Sequence, residues 1–124
     1  MARRLRITAG EVTATATLAD SKTADAIWNA LPIDECGSTW GDEIYFGIPV
    51  HLGEDDSQAV VQIGDLAYWP PGKAFCIFFG PTPASRGNEI RPASPVNIFG
   101  RVEGDATAFT RVSSGTRVRL ERVE

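Results

Sequence analysis

The chain has 124 residues, of which 43% are hydrophobic and 23% charged, and a net charge of −4. This length suits one ordinary domain, so we expect a single domain over residues 1–124. The acidic balance argues against nucleic acid as the main partner. The longest apolar run, residues 74–79, is too short to cross a bilayer, and no apolar signal segment follows Met1. We therefore expect a cytoplasmic protein without membrane attachment.

The N-terminal part of the sequence predicts a β-hairpin and then a helix. Apolar and polar residues alternate over residues 4–8 and 12–18, and this period of two is typical of half-buried strands. Asp20 or Ser21 is suited to cap a helix that ends at Pro32. Its apolar positions recur at helical spacing, at Ala24, Ile27, Trp28 and Leu31. We expect this apolar side to cover an open end of the sheet or barrel that the strands form.

The remainder predicts short strands and one long loop. We expect residues 32–42 to be irregular, and strand segments over 43–50, 59–63, 65–69, 74–80, 96–102 and 116–123. The segment 74–80 is apolar throughout, which indicates a strand buried on both faces. Residues 81–95 form a loop of a length that is often functional. The predicted fold class is mainly β, a closed barrel of about eight strands with one or two capping helices.

Several motifs resemble those of cyclophilins. Residues 18–31 are similar to the first cyclophilin helix, and Asn97-Ile-Phe-Gly-Arg-Val102 is similar to a cyclophilin strand that ends in Phe-Gly-Lys-Val. A second resemblance, to a family of small prokaryotic cyclophilin-like proteins of uncharacterised function, covers nearly the whole chain. It is carried by Tyr68-Trp-Pro-Pro-Gly72, Cys76-Ile-Phe-Phe-Gly-Pro-Thr-Pro83 and Arg91-Pro92. Both resemblances imply a cyclophilin-like barrel.

The sequence departs from cyclophilins at the positions that their prolyl isomerase activity implies. The strand after the helix, Glu43-Ile-Tyr-Phe-Gly47, lacks the arginine that the resemblance would place there. The site histidine would fall near Val96, and the site tryptophan has no counterpart within 81–95. Amide rotation crosses a barrier of about 18–20 kcal/mol, and an isomerase lowers it with a cation or donor that favours the twisted amide. We therefore expect no conventional isomerase activity.

An isomerase with a non-standard site is the first alternative. Arg91 would then supply the cation from the long loop, and Phe75, Phe78 or Phe79 would supply an apolar wall. We expect no catalytic residue of another kind, since His51 is the only histidine and neither cysteine has a basic partner in the pattern. The acidic pairs and runs, Asp42-Glu43 among them, are typical of exposed surface. No metal site and no cofactor are expected.

A ligand-binding pocket is the preferred hypothesis. Large aromatic residues lie near turns and strand ends, and the long loop adds a hydroxyl and a permanent cation. This cluster indicates an aromatic cleft for a small carboxylate-bearing ligand or a short peptide. The candidate ligand-binding residues are Trp40, Tyr45, Trp69, Phe79, Thr82 and Arg91. Taken singly, Trp69 and Phe79 also fit a core, and Arg91 also fits a loop-fixing hydrogen bonder.

A protein-interaction or assembly module is the second alternative. It would place the apolar segment 74–80 and the long loop at an interface between chains. The composition is compatible with both a monomer and an oligomer.

Overall fold

The structure is a computed structural model that describes residues 3–123. It contains one α-helix, α1 (Lys22–Ala30), two short 3₁₀ helices (Pro70–Gly72 and Ala106–Arg111) and nine strands. The strands are β1 (Arg4–Ala9), β2 (Val12–Leu18), β3 (Ile33–Cys36), β4 (Ser38–Thr39), β5 (Glu43–Gly47), β6 (Asp65–Trp69), β7 (Ala74–Phe78), β8 (Asn97–Val102) and β9 (Arg117–Arg122). They form one antiparallel sheet in the order β3-β9-β1-β2-β8-β6-β7-β5-β4, which confirms the mainly β prediction.

The two edge strands of this sheet are neighbours in the chain, and together they nearly close the barrel. Strand β3 pairs with β9, and β4 pairs with β5 at the opposite edge. Gly37 lies between them, and its N–H donates to the Thr116 carbonyl at 2.8 Å. A Cβ on Gly37 would lie 3.0 Å from Ile44 Cγ2 and 3.1 Å from Val118 Cγ2. The absence of a side chain at Gly37 therefore lets both edges approach each other.

The apolar residues pack on both faces of the central strands. The larger core fills the barrel interior, where the Phe75 ring stacks on Phe46 with centroids 5.2 Å apart. A smaller core on the outer face includes Cys76 and Phe78 of β7 and is covered by Ile90 and Val96 of the loop region. Strand β7 is consequently buried on both faces, as its unbroken apolar sequence predicts.

The helix has the predicted cap and apolar side. The Ser21 side chain accepts a hydrogen bond from the Ala24 N–H at 3.1 Å, and Ala24 and Ile27 are buried against the main core. Trp28 is half-buried, with the Arg122 guanidinium 4.9 Å from its ring centroid. Within residues 3–123, no helix is long and apolar enough to cross a membrane.

Two segments differ from the prediction. Residues 33–36 and 38–39 form strands, although only Ile33 of β3 points into the core and the sequence shows no alternation. Residues 59–63 were expected to form a strand, but their pairing is confined to a bridge between Val61 and Ile90. The partners of β3 and of Val61 are distant in sequence, so local patterns do not report them, whereas β4 is a two-residue strand that pairs with the nearby β5.

A buried amide fixes the polar loop after β5. Asn97, at the start of β8, is fully buried. Its side chain accepts from the Asp55 N–H at 2.9 Å and donates to the Gly53 carbonyl at 3.0 Å. Asp55 in turn accepts from the Thr23 hydroxyl at 2.9 Å, which ties the loop to α1.

We predict that Asn97→Ala lowers the free energy of unfolding by about 1–3 kcal/mol, because it removes the hydrogen bonds of a buried side chain to the Asp55 N–H and the Gly53 carbonyl. Urea denaturation measures this loss. Asn88→Ala, at an exposed loop position, is the matched control and should change stability by less than about 0.5 kcal/mol. Equal losses in the two variants would contradict the role assigned to Asn97.

Candidate functional site

A pocket of about 300 Å³ lies on the outer face of the barrel, at the end of the smaller core. Strands β5 and β6, the turn before β5 and the long loop each contribute to it. The lining residues are Trp40, Glu43, Tyr45, Trp69 and Ala93. Three of the five are aromatic residues, and Glu43 is the one charged residue among them.

The turn from Trp40 to Glu43 brings the first two of these side chains together. The Trp40 N–H donates to the Glu43 carbonyl at 2.9 Å, which closes the turn between β4 and β5. Gly41 has φ of +60°, a conformation that L side chains rarely adopt. A Cβ on Gly41 would also lie 2.8 Å from Pro83 Cδ. Glycine at this position thus allows the turn to pack against the start of the long loop.

The same turn is hydrogen-bonded to the segment that follows β7. The Asp42 N–H donates to the Pro81 carbonyl at 2.9 Å, and the Phe79 N–H donates to the Asp42 carbonyl at 2.9 Å. A Cβ on Gly80 would lie 2.3 Å from Asp42 Oδ2, so the approach depends on glycine there as well. Trp40 is therefore held at the pocket by a turn that is fixed on both sides.

Strands β5 and β6 place the remaining aromatic residues. Tyr45 is two positions after Glu43 and faces the same side of β5, because side chains alternate along a strand. Trp69 is the last residue of β6, and its indole N–H donates to the Ser94 hydroxyl at 2.6 Å. This bond fixes the end of the long loop over the sheet and brings the neighbouring Ala93 to the pocket rim.

Glu43 is buried, with 6% of its surface exposed. Burial raises the pKa of its carboxyl from 4.5 to about 7, and a hydrogen bond with the Cys76 thiol lowers it to a lesser extent. Within residues 3–123, no cation contributes to its pKa. Burial, together with the nearby Glu43 charge, raises the pKa of the Cys76 thiol well above its ordinary value, so this thiol stays protonated.

The structure brings together three of the six candidate ligand-binding residues, Trp40, Tyr45 and Trp69. Phe79 lies in the main core, with its ring centroid 6.2 Å from that of Phe109. Thr82 is buried, and its hydroxyl donates to the Arg91 carbonyl. The Arg91 guanidinium forms a bidentate ion pair with Glu89. These last three residues order the core and the long loop.

Glu43 is the functional candidate that the sequence interpretation missed. The prediction that Asp42-Glu43 is ordinary exposed surface is wrong for Glu43, which is buried in a pocket that is also lined by Trp40 and by Ala93 of the long loop. The alternation along β5 does contain a signal for this site. It places Glu43 on the same strand face as the candidate Tyr45, opposite the inward-facing Ile44. Only the position of the loop, however, shows that this face is buried.

The position near which the cyclophilin resemblance would place the site histidine holds an apolar residue. Val96, near the expected histidine position, is fully buried in the smaller core. Phe75, Phe78 and Phe79 are also buried and are not among the residues that line the pocket. The apolar wall considered for a non-standard isomerase site is therefore packed inside the protein.

Comparison with known proteins agrees with this architecture. A sequence model of the family described as Cyclophilin-like matches residues 3–121, so the chain belongs to that family and the resemblance is confirmed. The solution structure of the hypothetical protein AF2241 from Archaeoglobus fulgidus is similar, with 41% identity and a TM-score of 0.82, over 98% of this chain and 95% of that chain. A search of curated proteins finds no match. The comparisons thus show the family and the fold.

We predict that Glu43 makes the protein less stable as the pH rises. Since its folded pKa of about 7 exceeds the ordinary value of 4.5, the folded state keeps a proton that the unfolded state releases between these values. The contribution of Glu43 to the free energy of unfolding is greatest below pH 4.5. It falls by about 3 kcal/mol at most as the pH rises through the folded pKa of about 7.

Urea denaturation across this pH range, for the wild type and Glu43→Gln, measures the effect. The neutral amide removes the contribution, so the variant should gain stability relative to the wild type as the pH rises. Glu11→Gln, at an exposed turn position, is the matched control. A difference between wild type and Glu43→Gln that does not change with pH would contradict the prediction.

Proposed function

We propose that this cyclophilin-like protein binds a small organic molecule in the pocket formed by Trp40, Tyr45 and Trp69, and lacks conventional prolyl isomerase activity. The convergence of these rings around the buried Glu43 carries the proposal. The pocket volume of about 300 Å³ is at the lower end of the range of about 300–1,000 Å³ for small-molecule sites. Mostly apolar walls with one buried polar group are the usual form of such sites.

The geometry changes which polar group would recognise the ligand. A carboxylate-bearing ligand was expected because Arg91 offered a cation, but the Arg91 guanidinium is engaged by Glu89. The charged side chain at the pocket is Glu43. Recognition through Glu43 therefore has more support than recognition through Arg91.

A short peptide is the second candidate ligand. A wider groove of about 560 Å³ is lined by Pro70, Pro71, Ser94 and Pro95, among others. Ser94 accepts the Trp69 indole hydrogen bond, so the groove and the pocket meet at this pair. An extended ligand lying in both sites would contact Trp69 on one side and the prolines on the other.

The assembly-module alternative has less support. The apolar segment on which it rested, 74–80, is buried within the chain by the long loop and the barrel interior. The exposed large apolar side chains among residues 3–123 are Val60 and Ile63, which line one groove beside the long loop.

We predict that filling the pocket prevents ligand binding. Ala93 lines the pocket and is exposed, so Ala93→Leu should occupy the cavity with little effect on stability. The probe is 3,3-dimethylbutan-1-ol, and the readout is the saturable shift of the Trp40 and Trp69 indole N–H signals in nuclear magnetic resonance spectra. We expect the shift in the wild type and in the control Ala19→Leu, an exposed position elsewhere. A shift that persists in Ala93→Leu would place the binding outside the pocket.

We predict no acceleration of prolyl isomerisation. A proline-containing peptide should interconvert in the presence of the protein at its uncatalysed rate, over tens to hundreds of seconds. The assay follows the decay of the cis isomer at increasing protein concentration. Catalysis that increases with protein concentration and is lost in Arg91→Ala would instead establish the non-standard isomerase site.

A further inference from the structure

We infer that the ligand of this pocket is a small organic cation, a quaternary or protonated amine, held by the Glu43 carboxylate among Trp40, Tyr45 and Trp69. This inference rests on the proposed function and adds the chemical class of the ligand. Two independent features of the pocket support it, the aromatic walls and a buried carboxylate for which no lysine or arginine within residues 3–123 lines the pocket.

The aromatic walls suit a cation. The electron-rich faces of aromatic rings attract organic cations, and tryptophan does so most strongly. Two of the three rings at the pocket are tryptophans. The Trp69 indole donor is already bound by Ser94, so Trp69 offers a ligand its ring surface rather than a hydrogen bond. A pocket with this lining favours a compact apolar cation over a strongly hydrogen-bonding polar molecule.

The buried carboxylate supplies the complementary charge. Glu43 is 6% exposed, and within residues 3–123 no lysine or arginine lines the pocket. A buried charge is costly unless it is paired, and a cationic ligand would provide the missing partner. An anionic ligand would meet like charge in the same buried volume, which disfavours it.

The other groups around Glu43 do not provide that partner. Tyr45 lies beside it on β5, Cys76 on β7 is a protonated thiol, and Asp42 in the adjoining turn adds negative charge. Two arginines of the neighbouring elements are paired elsewhere, Arg91 of the loop with Glu89 and Arg101 of β8 with Asp65 of β6. Arg86 of the loop and Lys73 before β7 do not line the pocket, and neither contributes to the pKa of Glu43. The surroundings of the pocket are therefore acidic or neutral.

Binding of a permanent cation should depend on pH through Glu43. The pKa of about 7 means that the carboxyl holds a proton at acidic pH, and the cation must displace it. Affinity is therefore expected to increase as the pH rises, and to level off above the pKa once the carboxylate is formed. A neutral ligand should show no such dependence.

The test uses three probes of similar shape and different charge. Choline carries a permanent cation, 3,3-dimethylbutan-1-ol is its uncharged carbon isostere, and 3,3-dimethylbutanoate is an anion. Dissociation constants come from titrations followed by the Trp40 and Trp69 indole signals. At about pH 8 we expect choline to bind about tenfold more tightly than the alcohol, and Glu43→Gln to remove that advantage. Glu11→Gln, at an exposed turn position that does not line the pocket, is the matched control and should retain it.

The outcomes separate the ligand class from the pocket itself. Tighter binding of the alcohol or the anion than of choline would overturn the cation inference and leave the pocket as a binding site. No saturable shift with any probe would overturn both proposals. The pH dependence of choline binding to the wild type tests the role of Glu43 without any substitution. A choline affinity that does not rise between about pH 6 and about pH 8 would contradict a role for the Glu43 charge.

Discussion

The closure of the barrel by one short segment of chain is the constraint on which the rest of the structure depends. Residues 33–39 form both edges of the sheet, β3 against β9 and β4 against β5. Unpaired edges expose backbone donors and acceptors, and the two edge strands here are four and two residues long, which limits that exposure. Gly37 makes this closure possible, because a side chain there would press on Ile44 and Val118 from the two edges.

The pocket lies where that closing segment continues into β5. Strand β4 leads directly into the turn that carries Trp40 and Glu43, so their positions follow from the pairing of β4 with β5. The long loop then covers the outer face of the same strands and supplies Ala93 and Ser94. Barrel closure and the loop together thus produce a cavity whose walls come from distant parts of the sequence.

The sequence predicts the elements whose patterns are local and strong. The β1–β2 hairpin, the capped helix and the doubly buried β7 follow from period two, helical spacing and an unbroken apolar run, respectively. Strand β3 pairs with β9, which lies more than 80 residues later in the sequence, and Ile33 is paired with Leu120. A local pattern could not predict this pairing. The aromatic residues of the pocket were predicted from their proximity to turns. The burial of Glu43 was not, because it depends on where the loop lies.

The state of Glu43 links stability with binding. A buried carboxyl with a raised pKa is a less favourable choice for folding at neutral pH than an uncharged side chain of the same shape, since its ionisation is opposed by burial. Local features that oppose stability concentrate at functional sites. At Glu43 the unfavourable contribution is the cost of a buried carboxylate charge, and the proposed cation would reduce that cost by pairing with it. The residue that weakens the protein without a ligand is therefore the residue that would stabilise the proposed complex, and the proposal couples folding and binding through the protonation of Glu43.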